Sequence, residues 1–403
     1  TPTDPTLTLQ GRAQAITNTN PARIDLQIFD GITRTADIAS MLDQMGMGIN
    51  TRSIRKIAPG EPISLKGSIN GRLSGLKADL DVKTASMGSA QVDAHLAKNG
   101  KHMQVEGSAT SQNLDLGRLL SQPSLGTLTA DATLAFDNTG GKTRINLTPA
   151  RIDHFTFRGY DYHGIVAEAK MVGDNITADI HSTDPNLQMN LHGDIDVNNR
   201  TKERRYRIGM DLDTVDLSAL NFDKREGVTA SMSLDADITQ TARGDLLGEA
   251  TIRSLRGQVQ DKTFDVGDIF LNSTLDQDRY ELTLNSSVAK VDYDGNVFLT
   301  HFIRQAVQVV SDGHLNSIIK QKGQHEYDPE AFGSLMLRTL DLQPVCSFFA
   351  PKLYISRESS VGVSMLGNSV EGRIATELVA AGSLFVHNLQ GRVYNDGLLL
   401  RGM

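Results

Sequence analysis

Apolar and polar residues alternate along most of this chain. Three runs in its middle show the pattern most clearly, at residues 187–197, 206–212 and 228–238. Successive side chains of a strand point to opposite faces, so a period of two collects the apolar residues in one row. The pattern predicts a mainly β protein, with on the order of 25 antiparallel strands in meander order at one strand per 8–12 residues.

Clusters of Gly, Asn and Asp separate these runs. Examples are NTGGK at residues 138–142, VGDN at 172–175 and DYDGN at 292–296. Such clusters supply the positive φ that tight hairpins need. They are therefore predicted to be turns between neighbouring strands.

A short motif recurs four times: an apolar residue, Asp, an apolar residue, two free positions and another apolar residue. It appears at residues 36–41, 114–119, 215–220 and 340–345, and Asp115 to Asp216 is 101 positions, as is Gly126 to Gly227. Such a repeat indicates stacked copies of one strand-rich unit. The predicted units are residues 1–106, 107–208, 209–298 and a truncated 341–403. Asp115, Asp216 and Asp341 are expected to cap single turns or short helices.

Residues 299–340 are predicted to be a helical insertion between the third and fourth motif copies. Leu299, Phe302 and Ala306 belong to an apolar stripe at helical spacing that extends to about residue 322. A second helix is predicted to begin at Asp328 and Pro329, an N-cap followed by a favoured first residue. The insertion either packs on an apolar sheet face or plugs a groove.

Composition and charge narrow the possible partners. Aromatic residues make up 5% of the chain and Trp is absent, so base or sugar stacking is not favoured. Net charge is −8 with both signs interspersed, which predicts no nucleic-acid partner. Cys346 is the only cysteine, and no stretch reaches the ~18 apolar residues of a transmembrane helix. The chain is expected to be an internal piece of a longer protein.

No catalytic motif is found, and the sequence predicts no enzyme, catalytic residue, metal or cofactor. None of the ten histidines pairs with another at i+2 or i+4. His181 and His192 are candidates to face each other across a hairpin, most simply as a surface pair. Asp194 and Asp196 are interpreted as solvating residues on a polar strand face. Cys346, in an apolar segment, is interpreted as an inert buried thiol.

Four segments resemble a known family: LKGSINGRLSGL at residues 65–76, GSATSQNLDLGRLL at 107–120, YRIGMDLDTVDLSAL at 206–220 and FFAPKLYISRESSVGVSMLG at 348–367. They are similar to the TamB (translocation and assembly module) branch of the AsmA-like family, particularly its Bacteroidetes-type members. The resemblance implies an elongated, curved antiparallel sheet of repeated units forming a taco-like apolar groove.

The resemblance also implies a function and a location. The function is a non-enzymatic periplasmic bridge that shields phospholipid acyl chains on their way between inner and outer membrane and supports outer-membrane assembly. It implies an inner-membrane anchor in a missing N-terminal region and an outer-membrane partner protein bound through a missing C-terminal region. No catalytic residue is carried over.

The predicted lining of this groove comes from the alternating rows. The ten residues proposed for it are Leu187, Met189, Leu191, Ile208, Met210, Leu212, Met232, Leu234, Leu282 and Leu284. The same residues would otherwise form a sealed sandwich core. The alternative function is a β-repeat scaffold or adhesin of the cell envelope without lipid transport. A β-solenoid polysaccharide-processing enzyme is disfavoured by the ~100-residue repeat and the few aromatics.

Overall fold

The structure is a computed structural model, and it describes residues 8–16, 23–44, 62–72, 74–120, 122–260, 262–312, 328–394 and 397–401. Within these ranges the chain forms 24 strands and four short helices, so the predicted mainly β, antiparallel fold class is confirmed. The backbone divides into two compact units. Unit 1 comprises residues 1–193 and 219–222, and unit 2 comprises residues 194–218 and 223–403.

Unit 1 is a strand meander in which most strands pair with the next one in sequence. The exception is β10, which pairs with β8 because the three-residue β9 folds back on β8. Its elements are β1 (Thr8–Ile16), β2 (Arg23–Thr33), α1 (Thr35–Gln44), β3 (Ile63–Arg72), β4 (Gly75–Thr84), β5 (Ser89–Asn99), β6 (His102–Asp115), α2 (Leu116–Leu120), β7 (Leu125–Thr139), β8 (Lys142–Phe157), β9 (Tyr160–Tyr162), β10 (Ile165–Val172) and β11 (Asn175–Asp184). Strand β12 (Leu187–Asn198) follows in the chain.

Unit 2 continues in the same style, with one interruption by helices. Strand β19 pairs with β18 on one side and with β21 on the other, and β20 pairs with β22. Its elements are β13 (Glu203–Asp216), β14 (Val228–Gln240), β15 (Leu246–Val259), β16 (Lys262–Asp276), β17 (Arg279–Ser286), β18 (Ala289–Gly295), α3 (Leu299–Asp312), β19 (Phe332–Thr339), α4 (Gln343–Phe349), β20 (Leu353–Ile355), β21 (Ser360–Leu366), β22 (Ser369–Ala381), β23 (Leu384–Tyr394) and β24 (Gly397–Arg401).

The sequence repeat is also a structural repeat. The β6–β7 ladder shifts register between Ser111 and Leu114, and the β13–β14 ladder shifts between Leu212 and Val215. The two irregularities are therefore 101 residues apart, from 111 to 212 and from 114 to 215. Such β-bulges bend a strand locally, so the same bend recurs at the same place in each copy.

The three Asp residues of the later motif copies do cap turns, as predicted. The Asp115 carboxylate accepts a 2.9 Å hydrogen bond from the Arg118 N–H in α2. Asp216 accepts one of 2.9 Å from the Ser218 N–H, and Asp341 accepts one of 3.1 Å from the Gln343 N–H at the start of α4. These bonds satisfy amide donors that have no partner within the turn.

Three local predictions are wrong. The helical insertion predicted for residues 299–340 is helical over Leu299–Asp312 only, among its described residues, and the helix predicted from Asp328 is strand β19 instead. Residues 313–327, which include the end of the predicted apolar stripe, lie outside the described residues. The DYDGN turn is also wrong, because Asp292–Gly295 belong to β18. Cross-strand pairing of β18, β19 and β21 overrides the local helix and turn signals.

Candidate functional site

The apolar side chains of unit 2 form continuous rows across its strands. In one row, which we call the central row, each residue is directly paired with the next in the neighbouring strand. Directly paired residues lie on the same face of an antiparallel sheet, so these nine form one stripe. The central row consists of Ile208, Ala236, Ala250, Leu271, Leu284, Val291, Leu337, Val361 and Ile374.

The opposite face of the same strands is charged. Arg205 donates to Asp237 at 2.6 Å, Arg207 to Asp194 at 2.7 Å, and Arg279 to Asp294 at 2.7 Å, each pair bridging neighbouring strands. Hydrogen bonding to Arg205 lowers the pKa of Asp237. One face of unit 2 is therefore suited to water and the other is suited to apolar contact.

Helix α3 covers one end of the apolar face. Phe302 is fully buried and packs with Tyr280, Tyr293 and Met365 at the ends of their strands. Burial raises the pKa of the Tyr293 hydroxyl, which donates to the Val297 carbonyl. Gln305 is also buried, and its amide donates to the carbonyls of Asp328 at 3.0 Å and Gly367 at 2.9 Å. The Phe302 and Gln305 side chains therefore hold α3 on the ends of these strands.

Helix α4 covers the other end of the same face. Its Phe348 packs with Phe264, at 4.3 Å between ring centroids, and with Val228 and Val288. Ile269, paired with Ser286 on the apolar side, packs against this cluster, while Leu282 on the same face packs against the α3 cluster. Helices α3 and α4 therefore lie on the same face of the sheet and leave the middle of its strands uncovered.

An open groove of about 530 Å³ lies beside α3 in this uncovered region. Its volume falls within the range of about 300–1,000 Å³ typical of ligand pockets. Ile303 and Val307, 45% and 46% exposed, lie on the helix side, and Val361, 39% exposed, lies on the strand side. The residues that line the groove are Phe302, Ile303, Ala306, Val307, Val310, Leu335, Val361, Gly362, Val363, Val370, Gly372, Arg373, Ile374 and Val393.

All ten residues predicted to line a groove are half-buried in the structure, and their strand neighbours such as Gln188, Asn190 and Asp211 are exposed. Ile208 pairs with Ala236, Met210 with Leu234 and Leu212 with Met232, so this subset shares a face. Leu284 belongs to the central row, whereas Leu282 contacts the α3 cluster. Leu187, Met189 and Leu191 lie in β12.

None of the ten lines the groove beside α3. Sequence reasoning missed Leu335 because residues 332–339 were assigned to a helix, and it proposed no row in β21–β23, which supply the rest of the strand side. The signal was present in the alternation of Gly333, Leu335 and Leu337, which is the period of a strand.

The polar candidates have ordinary structural partners. His181 lies 2.6 Å from the Asn190 amide oxygen and His192 lies 2.6 Å from Asp179, so the two histidines do not pair with each other. The Arg207 guanidinium lies 2.7 Å from Asp194 and 3.9 Å from Asp196. Cys346 is buried, and burial raises the pKa of its thiol, which disfavours the reactive thiolate.

Comparisons with protein-family models, with curated proteins and with solved structures give no match to this chain. The resemblance to the TamB branch therefore stays a prediction. Among the described residues, no helix combines the length and the apolar character needed to cross a membrane.

Proposed function

We propose that this protein shelters the acyl chains of phospholipid on the apolar face of its sheet and conducts lipid between membranes without catalysis. The observation that carries the proposal is the central row, nine paired apolar positions that helices α3 and α4 leave uncovered in the middle of their strands. An uncovered apolar face of this extent favours a hydrophobic occupant.

The chemistry of an acyl chain suits this surface. A chain has no hydrogen-bonding groups, and the apolar groove residues offer none beyond their backbone. Each methylene moved out of water contributes about 0.8 kcal/mol, so covering roughly ten methylenes provides on the order of 8 kcal/mol before the cost of ordering the chain. Arg373 is the one charged residue in the lining; it alternates with Ile374 along β22, and its guanidinium donates to Glu371 at 2.8 Å, so its charge lies toward the polar face of the sheet.

The setting of the proposal is the periplasm of a bacterial envelope. The proposed function includes the partners that the family resemblance implies, which are an inner-membrane anchor, an outer-membrane partner protein and phospholipid as cargo. The alternative, a β-repeat envelope scaffold or adhesin, makes no use of an open apolar face.

The test uses a 16-carbon fatty acid that carries a photoreactive diazirine. The purified chain is irradiated with this probe, and the labelled peptides are identified by mass spectrometry. We expect labelling of α3 and of strands β21 and β22. Phospholipid that co-purifies from a bacterial host, measured after extraction, gives the second readout.

Two variants with matched exposure sharpen the test. Val361→Asp introduces a charge into the groove at a side chain that is already partly exposed, and Ser364→Asp introduces the same charge on the opposite face of the same strand. We expect Val361→Asp to reduce labelling and bound lipid by at least tenfold and Ser364→Asp to leave both unchanged. Equal labelling of both variants, or a lipid-free chain that the probe does not label, would instead support the scaffold alternative.

A further inference from the structure

Two histidines and one aspartate meet on the β8–β9 hairpin of unit 1. Phe155 pairs with Tyr162 and Thr156 with Asp161 across this hairpin, and its turn is made by Arg158 and Gly159, both at positive φ. The same register places His154 opposite His163. Residues two apart in a strand share a face, so His154, Asp161 and His163 lie on one side of the hairpin.

The donor atoms of this cluster lie at the spacing of metal ligands. His154 Nδ1 is 3.2 Å from Asp161 Oδ2, and His163 Nε2 is 3.6 Å from the same oxygen. One donor atom from each of the three side chains lies within 4.8 Å of the others. A cation that binds nitrogen and oxygen at about 2.0–2.2 Å holds neighbouring ligands roughly 3 Å apart, which is close to this arrangement.

A hydrogen bond on the far side of one imidazole orients its other nitrogen toward the cluster. His163 Nδ1 lies 3.2 Å from the carbonyl oxygen of Asp153, an acceptor that requires an N–H. A neutral imidazole with its proton on Nδ1 turns the lone pair of Nε2 toward the Asp161 carboxylate. Two acceptors then face each other, and a cation between them relieves the repulsion. A carbonyl that accepts from the outer nitrogen is the usual support of a metal-binding histidine.

The backbone that carries the cluster is held by a buried carboxylate. Asp184 is fully buried and accepts hydrogen bonds from the His163 N–H at 2.9 Å, the Tyr160 hydroxyl at 2.7 Å and the Asn186 N–H at 2.8 Å. Tyr162, on the face opposite to the cluster, is buried. The segment from residue 160 to 163 is therefore fixed before any ion binds, which lowers the entropic cost of binding.

We propose that His154, Asp161 and His163 form a binding site for one divalent transition-metal ion. Two imidazoles and one carboxylate suit Zn²⁺, Co²⁺, Ni²⁺ or Cu²⁺ and disfavour Ca²⁺ and Mg²⁺, which prefer all-oxygen sites. The three side chains are about half exposed, so water completes the coordination. The ion links β8 to β9 and stabilises the hairpin against opening.

The test titrates Co²⁺ into the complete chain, without a histidine tag and after removal of metals by a chelator. The absorbance of the ion reports its coordination, and Zn²⁺ competition and the thermal unfolding midpoint are further readouts. We expect one equivalent of Co²⁺ to bind, Zn²⁺ to displace it and either ion to raise the midpoint. Ca²⁺ is expected to have no effect.

Three variants separate this site from other histidines. His154→Asn and Asp161→Asn are expected to weaken Co²⁺ binding at least tenfold. His192→Gln removes another exposed histidine beside a carboxylate, at 2.6 Å from Asp179, and is expected to bind as tightly as the unmodified chain. The proposal is wrong if the unmodified chain binds no Co²⁺ at 100-fold molar excess, or if binding is unchanged in both cluster variants.

Discussion

Phe302 of α3 packs directly against Gly333 of β19. A β-carbon on Gly333 would lie 2.7 Å from Cδ2 of the Phe302 ring and 3.1 Å from the Tyr293 hydroxyl. No real β-carbon approaches a neighbour so closely, so the absence of a side chain at residue 333 permits the helix to lie on the strand at this depth.

Replacing Gly333 by Ala should therefore displace α3. We expect Gly333→Ala to lower the free energy of unfolding by about 1–3 kcal/mol, the usual cost of overpacking a filled core. Gly209→Ala is the control, because its β-carbon would have no neighbour nearer than 3.9 Å. Urea unfolding of both variants measures the difference. Equal midpoints for the two variants would contradict the close contact.

This contact also explains why part of the fold could not be predicted from the sequence. The segment from Asp328 begins with a helix cap and a proline, and local propensity favours a helix there. Pairing of β19 with both of its neighbouring strands outweighs that preference. Gly333 does not end a helix; it leaves the space that the Phe302 ring occupies. Tertiary contacts of this kind override local propensity.

The rows of the sheet could be predicted only within single strands. Alternation placed Met210 and Leu234 on apolar faces, and the 101-residue repeat located the caps at Asp115 and Asp216. The central row depends on the register of eight strand pairs, which no pattern within one strand determines. The pairing of His154 with His163 likewise depends on the position of the turn at Arg158 and Gly159. Each histidine lies four positions along the chain from this turn, so the two face each other across the hairpin.

A buried group of hydroxyls provides a second prediction about stability. Thr339, Ser356, Ser359 and Thr376 are all buried, and the hydroxyl of Ser359 donates to that of Thr376 at 2.6 Å. The Thr376 oxygen is also 3.1 Å from the Ser356 oxygen. Removing it takes one hydrogen-bond partner from each of these two serines, whose hydroxyls keep their bonds to the Ser356 carbonyl and the Leu378 N–H.

Thr376→Val keeps the shape of the side chain and removes the hydroxyl. We expect it to lower the free energy of unfolding by about 0.5–1.5 kcal/mol, the net contribution of a typical hydrogen bond. Thr274→Val, at an exposed position of β16, should change it by less than about 0.5 kcal/mol. Chemical unfolding followed by circular dichroism gives both values, and a neutral Thr376→Val would show that the network adds no stability.

Cys346 offers a readout of the packing of α4. Cys346 is 6% exposed and burial raises the pKa of its thiol, so the thiol should react slowly with a disulfide reagent such as dithionitrobenzoate at pH 8. We expect the rate to increase at least 100-fold in denaturing urea. Gln188→Cys adds a second thiol at an exposed position and should give one fast and one slow equivalent. Two fast equivalents in the folded chain would mean that α4 opens readily.

The attachment of α4 depends on an ion pair whose strength varies with pH. Arg225 lies 4.8 Å from the centre of the Phe348 ring and donates to the Phe348 carbonyl, while its guanidinium binds Asp223 at 2.7 Å. The hydrogen bond from Arg225 is the largest cause that lowers the pKa of the Asp223 carboxyl, from 3.8 to about 2. Because the folded value is the lower one, the ion pair stabilises the fold above about pH 4 and loses this effect as the pH falls through 2.

Arg225→Met should therefore destabilise the chain more at pH 6 than at pH 2. We expect its urea midpoint to lie below that of the unmodified chain at pH 6, and the gap to narrow between pH 4 and pH 2 as Asp223 takes up a proton. Asp223→Asn is the control. When Arg225→Met is added to this variant, the loss in urea midpoint should be the same from pH 6 to pH 2, because the remaining carboxylates titrate alike with and without Arg225. A gap of constant size down to pH 2 in the presence of Asp223 would show that Arg225 acts on Phe348 alone.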